Sequence, residues 1–356
     1  MRWCHPSHGI RGNCSGVNAP IVIAEAGVNH NGDLGRALDM VTAAAEAGAD
    51  YVKFQAFSTD TLVARDARTA AYQEANVGES RQDALLRRLE ISPDDFAVLA
   101  AACRDAKIGF MASVFDLVQL DALIALGMDR LKIASGELTN TPALVRFAGR
   151  GLPVLLSTGM ATLDEVAEAV SVLRNHGCHD ITLLHCTSLY PAPPDSLNLS
   201  AIATMREYFG LPVGYSDHSL GDHATIAAVA LGATMIEKHF TLDRALPGPD
   251  HRASLEPDEL TAMISRLRDV ANAMGDGVKR PTAAEIETAR LVRRSWHTRH
   301  SLPAGSVLGE DDVVLKRPAD GLLPHWSPVG CRLARTLDAD TPISAGDLTS
   351  EPTVLQ

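Results

Sequence analysis

A (β/α)8 barrel, an α/β fold, is what this sequence of 356 residues predicts, on two observations. First, a short apolar run followed by an amphipathic stretch recurs eight times between residue 20 and about residue 275. Second, the apolar runs end in polar residues, and catalytic groups in such barrels come from the C-terminal ends of the strands. A doubly wound open sheet is the alternative, but the first βα turn, AEAGVNHNGD, lacks the G-x-G-x-x-G spacing typical of that fold.

The eight predicted strands follow one another at spacings that leave room for a helix between them. They are PIVIAEAG (20–27), DYVKFQAF (50–57), IGFMASVF (108–115), RLKIASGE (130–137), PVLLSTG (153–159), DITLLHCTSLY (180–190), PVGYSDHS (212–219) and TMIEKHFT (234–241). The helix patterns, such as residues 33–48 and 162–177, repeat apolar residues every three or four positions and close on glycine. Asp33 and Thr162 occupy N-cap positions, and Glu165 completes a capping box with Thr162.

The sequence divides into four parts. We assign residues 1–17 to an N-terminal arm, 18–278 to the catalytic barrel, 279–294 to a polar linker with a short helix, and 295–356 to a small C-terminal β domain. In the last part, LPAGSVLGEDDV (302–313) resembles LDADTPISAGDL (337–348) at an offset of 35 residues, which indicates two related half-units. The arm carries Cys4, His5, His8 and Cys14, whose spacing matches no common zinc pattern.

Composition excludes several classes of function. The formal net charge of −12 argues against nucleic acid or an anionic membrane as the main partner. There is no apolar run of 18 residues and no h-region of a secretory signal near the start, and the six cysteines form no C-x-x-C pair. We therefore expect a cytoplasmic protein with reduced thiols.

Two histidines predict a metal site. His218 and His239 end consecutive strands, and neighbouring strands lie about 4.8 Å apart, so two inward imidazoles at one level could bind a single ion. By the two-residue period, Glu237 shares a face with His239, whereas Lys238 points the other way, toward a helix or solvent. Two imidazoles without a thiolate favour Mn²⁺ or Mg²⁺ over structural zinc. Asp250, in the loop LPGPDHRAS, is either a further metal contact or an ordinary turn residue.

Cations and hydroxyls at other strand ends predict an anion-binding pocket. Lys53 and Lys132 end the second and fourth strands, and the alternative is that each extends from the barrel rim into solvent. The remaining polar strand-end residues are Gln55, Ser113, Ser135, Ser157, Ser188, Tyr190 and Ser216. Hydroxyls and backbone N–H groups at helix starts would add donors for an anion.

Three carboxylates are candidates for general acid or base, or for partners of the lysines. We favour a catalytic role for Glu137, a contact of Glu25 with a substrate hydroxyl, and a supporting role for Glu237 beside a histidine or lysine. These roles require an environment that shifts the carboxyl pKa values.

At these residues the sequence resembles the sialic acid synthase family, which includes the N-acetylneuraminate, legionaminate and pseudaminate synthases. The resemblance covers nearly all of residues 18–350 and rests on nine ordered motifs: AEAGVNHNG, VKFQ, KIASGE, LSTGM, LLHCTSLYP, YSDHS, IEKHFT, PGPDH and LKRPADG. One departure is Ser188, which stands where N-acetylneuraminate-forming bacterial enzymes often have Asn, so the identity of the sugar stays open.

The resemblance implies a reaction and a divalent metal. Phosphoenolpyruvate would condense with an N-acetylated hexosamine, such as N-acetylmannosamine or a related 2,4-diacetamido sugar, to give a nine-carbon 2-keto acid and phosphate by C–O cleavage. The ion would be Mn²⁺, with Mg²⁺ or Co²⁺ as alternatives. The C-terminal part would be an antifreeze-like SAF domain that caps the partner's barrel in a domain-swapped homodimer.

The resemblance also implies a role for each site residue. His218 and His239 would bind the metal and take part in catalysis with Glu137 and Glu25. Lys132, Ser135, Ser157 and Ser216 would hold phosphoenolpyruvate. The residues around the sugar and metal would be Lys53, Gln55, Ser113, Ser188, Tyr190 and Asp250, and Arg317 would reach the N-acetyl group across the dimer.

Two other functions fit the residues without the resemblance. A metal-dependent barrel aldolase or lyase would also use two histidines and a lysine-rich pocket. A non-catalytic carbohydrate-binding or coat protein could keep the same barrel, although a binder has no need of a metal electrophile.

Overall fold

The computed structural model describes residues 19–355, and its main feature is a closed barrel of eight parallel strands in sequence order. The (β/α)8 prediction is therefore confirmed. The strands are β1 (Ile21–Gly27), β2 (Tyr51–Ala56), β3 (Gly109–Val114), β4 (Leu131–Ile133), β5 (Val154–Ser157), β6 (Ile181–Cys186), β7 (Val213–Asp217) and β8 (Met235–His239).

All eight predicted strands extend beyond the observed ones, and two of them, the fourth and the sixth, end four residues too late. β4 ends at Ile133, and a 3-10 turn over Ser135–Glu137 follows it. β6 ends at Cys186, so Ser188 and Tyr190 lie in the loop beyond the strand. The reason is that chain segments at the mouth of the barrel leave the hydrogen-bonded ladder to form βα loops, although their sequence still resembles a strand.

Helices lie between the strands and after the last one, and most of them cover the outside of the barrel. They are α1 (Leu34–Glu46), α2 (Thr59–Leu62), α3 (Ala71–Val77), α4 (Gln82–Arg87), α5 (Pro93–Asp105), α6 (Leu120–Ala125), α7 (Thr141–Ala148), α8 (Leu163–Asn175), α9 (Ala201–Phe209), α10 (His223–Ala230) and α11 (Pro257–Met274). Both predicted N-caps are confirmed: Asp33 accepts from the backbone N–H of Arg36, and Thr162 forms a capping box with Glu165.

The main hydrophobic core lies between the strands and this helical layer. Outward-facing strand residues such as Val52, Leu156 and Ile236 pack there against helix residues such as Leu99 and Met263, all almost fully buried. Removal of this apolar surface from water is the dominant stabilising contribution.

A second apolar cluster fills the lower interior of the barrel. It consists of Ile23, Met111, Leu155, Leu184 and Met235, all of which point inward. Because side chains alternate along a strand, the next inward residues lie one layer higher, and there the side chains are polar. The apolar cluster thus forms a closed floor beneath a polar mouth.

The chain divides into two compact units, one ending at Asp276 and the other beginning at Gly277. The second unit contains α12 (Ala283–Val292), β9 (Ser295–Thr298), β10 (Val313–Lys316), β11 (Trp326–Ser327) and β12 (Thr353–Val354). Its own core includes Leu308, Leu333 and Ile343. The predicted internal repeat is present as two 3-10 turns 35 residues apart, Glu310–Asp312 and Ala345–Asp347.

Two further predictions concern the ends of the chain and the membrane. No helix within residues 19–355 has the length and apolarity needed to span a bilayer. The predicted N-terminal arm, with Cys4, His5, His8 and Cys14, lies outside the described residues.

The tight packing of the barrel floor yields a stability prediction. A Cβ added to Gly214 would lie 2.6 Å from Leu184 Cδ2 and 2.7 Å from the carbonyl oxygen of Met235. We expect Gly214→Ala to lower the free energy of unfolding by about 1–3 kcal/mol through overpacking. The matched control is Gly149→Ala, whose Cβ would make only ordinary contacts at 3.7 Å or more. Chemical denaturation checks both variants, and equal stability of the two would contradict the tight floor.

Candidate active site

A cavity of about 450 Å³ opens at the C-terminal mouth of the barrel, directly above the apolar floor. All the predicted site residues except Glu137 and Arg317 line it. They are Glu25, Lys53, Gln55, Ser113, Lys132, Ser135, Ser157, Ser188, Tyr190, Ser216, His218, His239 and Asp250. These side chains come from all eight strands or the loops that follow them, so the closed barrel itself brings them together.

Two lysines and two glutamates form a buried ring of charge at the bottom of the cavity. Lys53 Nζ lies 2.8 Å from Glu25 Oε2 and 3.5 Å from Glu237 Oε2. Lys132 Nζ lies 3.5 Å from Glu237 Oε1, which also accepts a hydrogen bond from Ser216 Oγ at 2.8 Å. Neither lysine exposes more than 3% of its surface, so the alternative in which the lysines extend into solvent is excluded. Glu237 supports both lysines, as the sequence predicted for it.

The two glutamates of this ring differ in proton affinity. Burial alone would raise the pKa of Glu237, but Lys132 and Lys53 outweigh it and hold that pKa well below its usual range. Burial raises the pKa of Glu25, because Lys53 offsets only part of it and the charge of Glu237 adds to it. One carboxylate is thus kept ionised while the other can accept a proton, which is the division of roles that acid–base catalysis requires.

The lysine ammonium groups also differ. Burial lowers the pKa of Lys132, and Glu237 compensates only in part. For Lys53, Glu237 and Glu25 outweigh burial and raise the pKa. Lys53 also donates a hydrogen bond of 2.7 Å to Ser113 Oγ. Lys53 is therefore fixed by several partners, whereas Lys132 has capacity left for an anionic ligand.

Small groups on the β5 side of the cavity form a cradle. The backbone N–H of Gly159 donates to Ser135 Oγ at 3.0 Å. A Cβ on Gly159 would lie 2.2 Å from Ser188 Oγ and 2.9 Å from Cys186 Sγ, so a larger residue there would displace these side chains. The buried Oγ of Ser157 has no hydrogen-bond partner within the described protein. A buried hydroxyl without a partner beside a cavity is expected to meet one in a ligand.

The two predicted metal ligands lie side by side at the ends of the neighbouring strands β7 and β8. The ring centroids of His218 and His239 lie 5.4 Å apart, and Tyr190 packs against both rings. His218 Nδ1 lies 2.7 Å from the carbonyl oxygen of Thr187. Since a carbonyl only accepts, this nitrogen must carry the proton, and Nε2 therefore presents a lone pair. The Nδ1 atom of His239 is buried without a hydrogen-bond partner in the described structure.

Both imidazoles are in the state that a metal requires. Burial lowers the pKa of His218 to about 4, and burial, reinforced by the nearby His218 ring and the Lys53 ammonium, holds the pKa of His239 well below its usual value. Neutral rings with free lone pairs are the form that binds metal. No group of three or more His, Cys, Asp or Glu side chains within residues 19–355 is arranged to hold an ion. The two neutral imidazoles fit an ion that takes two protein ligands and leaves positions for water and substrate.

Asp250 is the third acidic group of the cavity. Its Oδ2 lies 3.9 Å from His239 Nδ1, and burial and then the charge of Glu25 raise its pKa to about 7. The loop that carries it is held by two asparagines: Asn31 donates to the carbonyl of Pro247 and Asn76 to that of Pro249, each at 2.7 Å. Asp250 belongs to a turn, and its carboxyl also faces the cavity.

The structure does not bring Glu137 and Arg317 to the cavity lining. Glu137 Oε2 accepts a hydrogen bond of 2.6 Å from Asn140 at the start of α7, although the adjacent Gly136 and Ser135 do line the cavity. Arg317 is exposed and belongs to the second unit. The predicted contact of Arg317 across a dimer stays a prediction.

Several lining residues were missed by the sequence reasoning. Gln73, Gln82, Leu86 and Leu89 come from the segment between β2 and α5. The length of this segment could have indicated them, because more than thirty residues separate β2 from α5 and long βα loops in barrels commonly shape the active site.

Of the two surroundings expected for Lys238, a helix or solvent, solvent is wrong. The Lys238 side chain is fully buried and paired with Asp217.

Comparison with known proteins places the chain among the synthases of sugar acids. Residues 40–279 match the NeuB family, and residues 293–349 match the SAF domain. The chain is 45% identical over 327 residues to N,N'-diacetyllegionaminic acid synthase from Legionella pneumophila, which covers 90% of this chain and 92% of that protein. It is 34% identical to human N-acetylneuraminate-9-phosphate synthase, covering 85% of this chain and 84% of that protein.

Solved structures agree with this assignment. An N-acetylneuraminic acid synthetase from Leptospira borgpetersenii, in complex with citrate, superimposes with a TM-score of 0.68 at 38% identity, covering 77% of this chain and 91% of that one. A spore coat polysaccharide biosynthesis protein E from Chromobacterium violaceum superimposes with a TM-score of 0.73 at 27% identity, covering 93% and 100%.

The raised pKa of Asp250 predicts a pH-dependent gain in stability for its amide variant. In the metal-free protein, Asp250 ionises near pH 7 when folded and near pH 3.8 when unfolded. The neutral form of the carboxyl contributes to the free energy of unfolding. This contribution is complete below pH 3.8 and is lost as the pH rises through 7. We expect Asp250→Asn to match the wild-type melting temperature near pH 3.8 and to exceed it increasingly up to about pH 7. An advantage that does not change with pH would contradict the buried, protonated carboxyl.

Proposed function

The chain belongs to the NeuB family of sialic acid synthases, and we propose that it condenses phosphoenolpyruvate with an N-acetylated amino sugar and water. The products are a nine-carbon 2-keto acid and inorganic phosphate. The observation that carries the proposal is one cavity with two halves: a lysine and serine half suited to an anion, and a half with two neutral histidines suited to a divalent ion. Two halves that differ in chemistry suit a reaction that joins two different substrates.

The anionic half is the place for phosphoenolpyruvate. The positive charge of Lys132 is only partly balanced by Glu237, and the hydroxyl groups of Ser135, Ser157 and Ser216 lie in the same cavity. The backbone N–H of Gly159 lies in the same region. Charge-assisted hydrogen bonds from Lys132, Ser135 and Ser157 would hold the phosphate and the carboxylate and orient the C3 carbon toward the histidine half of the cavity.

His218 and His239 would hold the divalent ion, for which we propose Mn²⁺, with Mg²⁺ or Co²⁺ as alternatives. When bound, the ion supplies a Lewis acid that polarises the aldehyde of the open-chain sugar. The orphan Nδ1 of His239 and the available Nε2 of His218 support this assignment. Tyr190 packs on both rings and keeps them in place.

Protons are moved by the carboxyls whose pKa values are raised. When C3 of phosphoenolpyruvate attacks the aldehyde carbon, the aldehyde oxygen gains a proton, and Asp250 with a pKa of about 7 can donate it. Positive charge then develops at C2, water adds there, and the tetrahedral intermediate expels phosphate with cleavage of the C–O bond. Glu25 can take the proton of that water, and Glu137 remains a proposed contributor near C2 from the turn beside Ser135.

We propose a 2,4-diacetamido hexose as the preferred sugar. Two relatives that share more than 40% of their residues with this chain are named N,N'-diacetyllegionaminic acid synthases. Gln55 and Ser188, with the glutamines of the β2–α5 segment, supply polar groups around the place for that sugar. N-Acetylmannosamine is the comparison substrate.

We also propose that the protein works as a homodimer in which the SAF domain of one copy covers the barrel of the other. Four apolar side chains at the mouth support a covering partner, because each lies in a βα loop and is strongly exposed: Val118 (83%), Met160 (76%), Leu189 (49%) and Leu220 (55%). Arg317 of that domain would then reach the N-acetyl group of the sugar.

The direct test of the reaction is release of phosphate from phosphoenolpyruvate with Mn²⁺ and either sugar. We expect phosphate to appear in a 1:1 ratio with the keto acid, faster with the diacetamido sugar. With ¹⁸O at the bridging position, the label is expected in phosphate, as C–O cleavage requires. Absence of phosphate with every sugar would contradict the proposal and favour an aldolase. The matched control is His239→Ala, which should fold but release no phosphate.

The variant Arg317→Ala tests the proposal that the SAF domain of one copy contacts the sugar in the barrel of the other. We expect it to raise KM for the sugar at least tenfold and to change KM for phosphoenolpyruvate little, because the guanidinium is proposed to contact only the sugar. The control is Arg332→Ala, since Arg332 is an exposed arginine of the same unit whose side chain donates to the carbonyl of Gly305 in that unit. Equal losses for both substrates would speak against the proposed contact.

A further inference from the structure

A buried ion pair lies directly behind the two histidines, on the outer face of the barrel strands. Lys238 Nζ lies 2.7 Å from Asp217 Oδ2, and neither side chain exposes any surface. The two residues face each other in the register of β7 and β8, and each immediately precedes one of the histidines in the chain. Because side chains alternate along a strand, the ion pair points outward while His218 and His239 point into the cavity.

The ion pair also fixes the backbone on both sides of His218. Asp217 Oδ1 accepts a hydrogen bond of 2.8 Å from the backbone N–H of Ser219, which closes an Asx turn around the histidine. Lys238 donates a second hydrogen bond to the carbonyl of Ser219. The hydroxyl of Tyr215 donates to Asp217 Oδ1 at 3.1 Å. We call this arrangement of Tyr215, Asp217, Ser219 and Lys238 the latch.

The latch supplies a restraint that the sheet does not. The ladder between β7 and β8 ends with the pair Asp217 and Lys238, so His218 lies beyond the last ladder position. His239 is the last residue of β8. Without the latch, His218 would be held by its contacts with loop residues: Nδ1 with the carbonyl of Thr187, its own carbonyl with the backbone N–H of Ala192, and the ring with Tyr190.

General stability does not explain why charged residues occupy these positions. The outward positions below them, Val213 and Ile236, are fully buried apolar residues that pack on the helical layer. A buried ion pair is commonly no more stabilising than apolar residues of similar volume, because both charges lose their hydration. What a charged pair adds is a defined geometry, and the residues it defines here are the two histidines.

We propose that the latch fixes the spacing of His218 and His239 and thereby sets the affinity of the site for its divalent ion. This inference rests on the proposed function, in which those two imidazoles hold the ion. Asp217, Lys238 and Tyr215 are positioning residues, since they act through the histidines and do not line the cavity.

The test measures Mn²⁺ binding directly, from the electron paramagnetic resonance signal of free Mn²⁺, with thermal melting in parallel. We expect Lys238→Met, which leaves Asp217 buried without its cation, to melt well below the wild-type protein. In Asp217→Asn/Lys238→Met both charges are absent, so stability is expected to recover in part, whereas Kd for Mn²⁺ should remain weakened about tenfold or more, as for other changes behind a metal ligand.

The control is Leu99→Ala in α5, a fully buried residue outside the latch. We expect it to lower the melting temperature while leaving Kd for Mn²⁺ within twofold of the wild-type value. If the double variant does not fold, Tyr215→Phe replaces it, with an expected rise in Kd of at least threefold. A folded latch variant with a wild-type Kd would overturn the latch alone. A wild-type protein that binds no Mn²⁺ would overturn the metal site and the latch with it.

Discussion

The carboxylate of Glu237 is the interaction on which the rest of the site depends. It lies 3.5 Å from each of two buried ammonium groups, Lys53 and Lys132, and accepts a hydrogen bond from Ser216. Two buried cations in one small cavity would repel each other strongly in the absence of a counter-charge, because the interior screens charge far less than water does. With Glu25 as the second carboxylate, the ring is neutral overall. The protein can therefore bury both lysines without unfolding and keep Lys132 available for an anion.

The two faces of β8 perform different tasks within a few residues. Glu237 and His239 point into the cavity, whereas Lys238 points outward and pairs with Asp217. Three consecutive ionisable residues in a buried strand are unusual, because each loses its hydration. Here each has a partner or a ligand-facing position: the lysine pair for Glu237, Asp217 for Lys238, and the cavity for His239. The strand is thus at once the wall of the site and the element that holds it in place.

The fold and the location of the site could be predicted from the sequence because both depend on local patterns. The eight-fold alternation sets the barrel, and the two-residue period places Glu237 and His239 together. What the sequence could not show are relations between distant segments. The buried partner of Lys238 lies on the neighbouring strand, 21 residues earlier in the chain, and the glutamines of the β2–α5 segment line the cavity only because that long loop folds toward the mouth. Loop conformation follows from tertiary packing, which has no short sequence signature.

The most direct test of the charge-balanced ring is thermal melting of Glu237→Gln with and without phosphoenolpyruvate. Glutamine keeps the shape of Glu237 but leaves Lys53 and Lys132 with only one counter-charge, that of Glu25. The account predicts a clearly lower melting temperature than wild type in the absence of ligand, since one partner of a buried ion pair is removed. Phosphoenolpyruvate should then raise the melting temperature of the variant more than that of the wild-type protein. Two results together would contradict the account: a melting temperature of the variant without ligand equal to that of the wild-type protein, and a rise with phosphoenolpyruvate no larger than that of the wild-type protein.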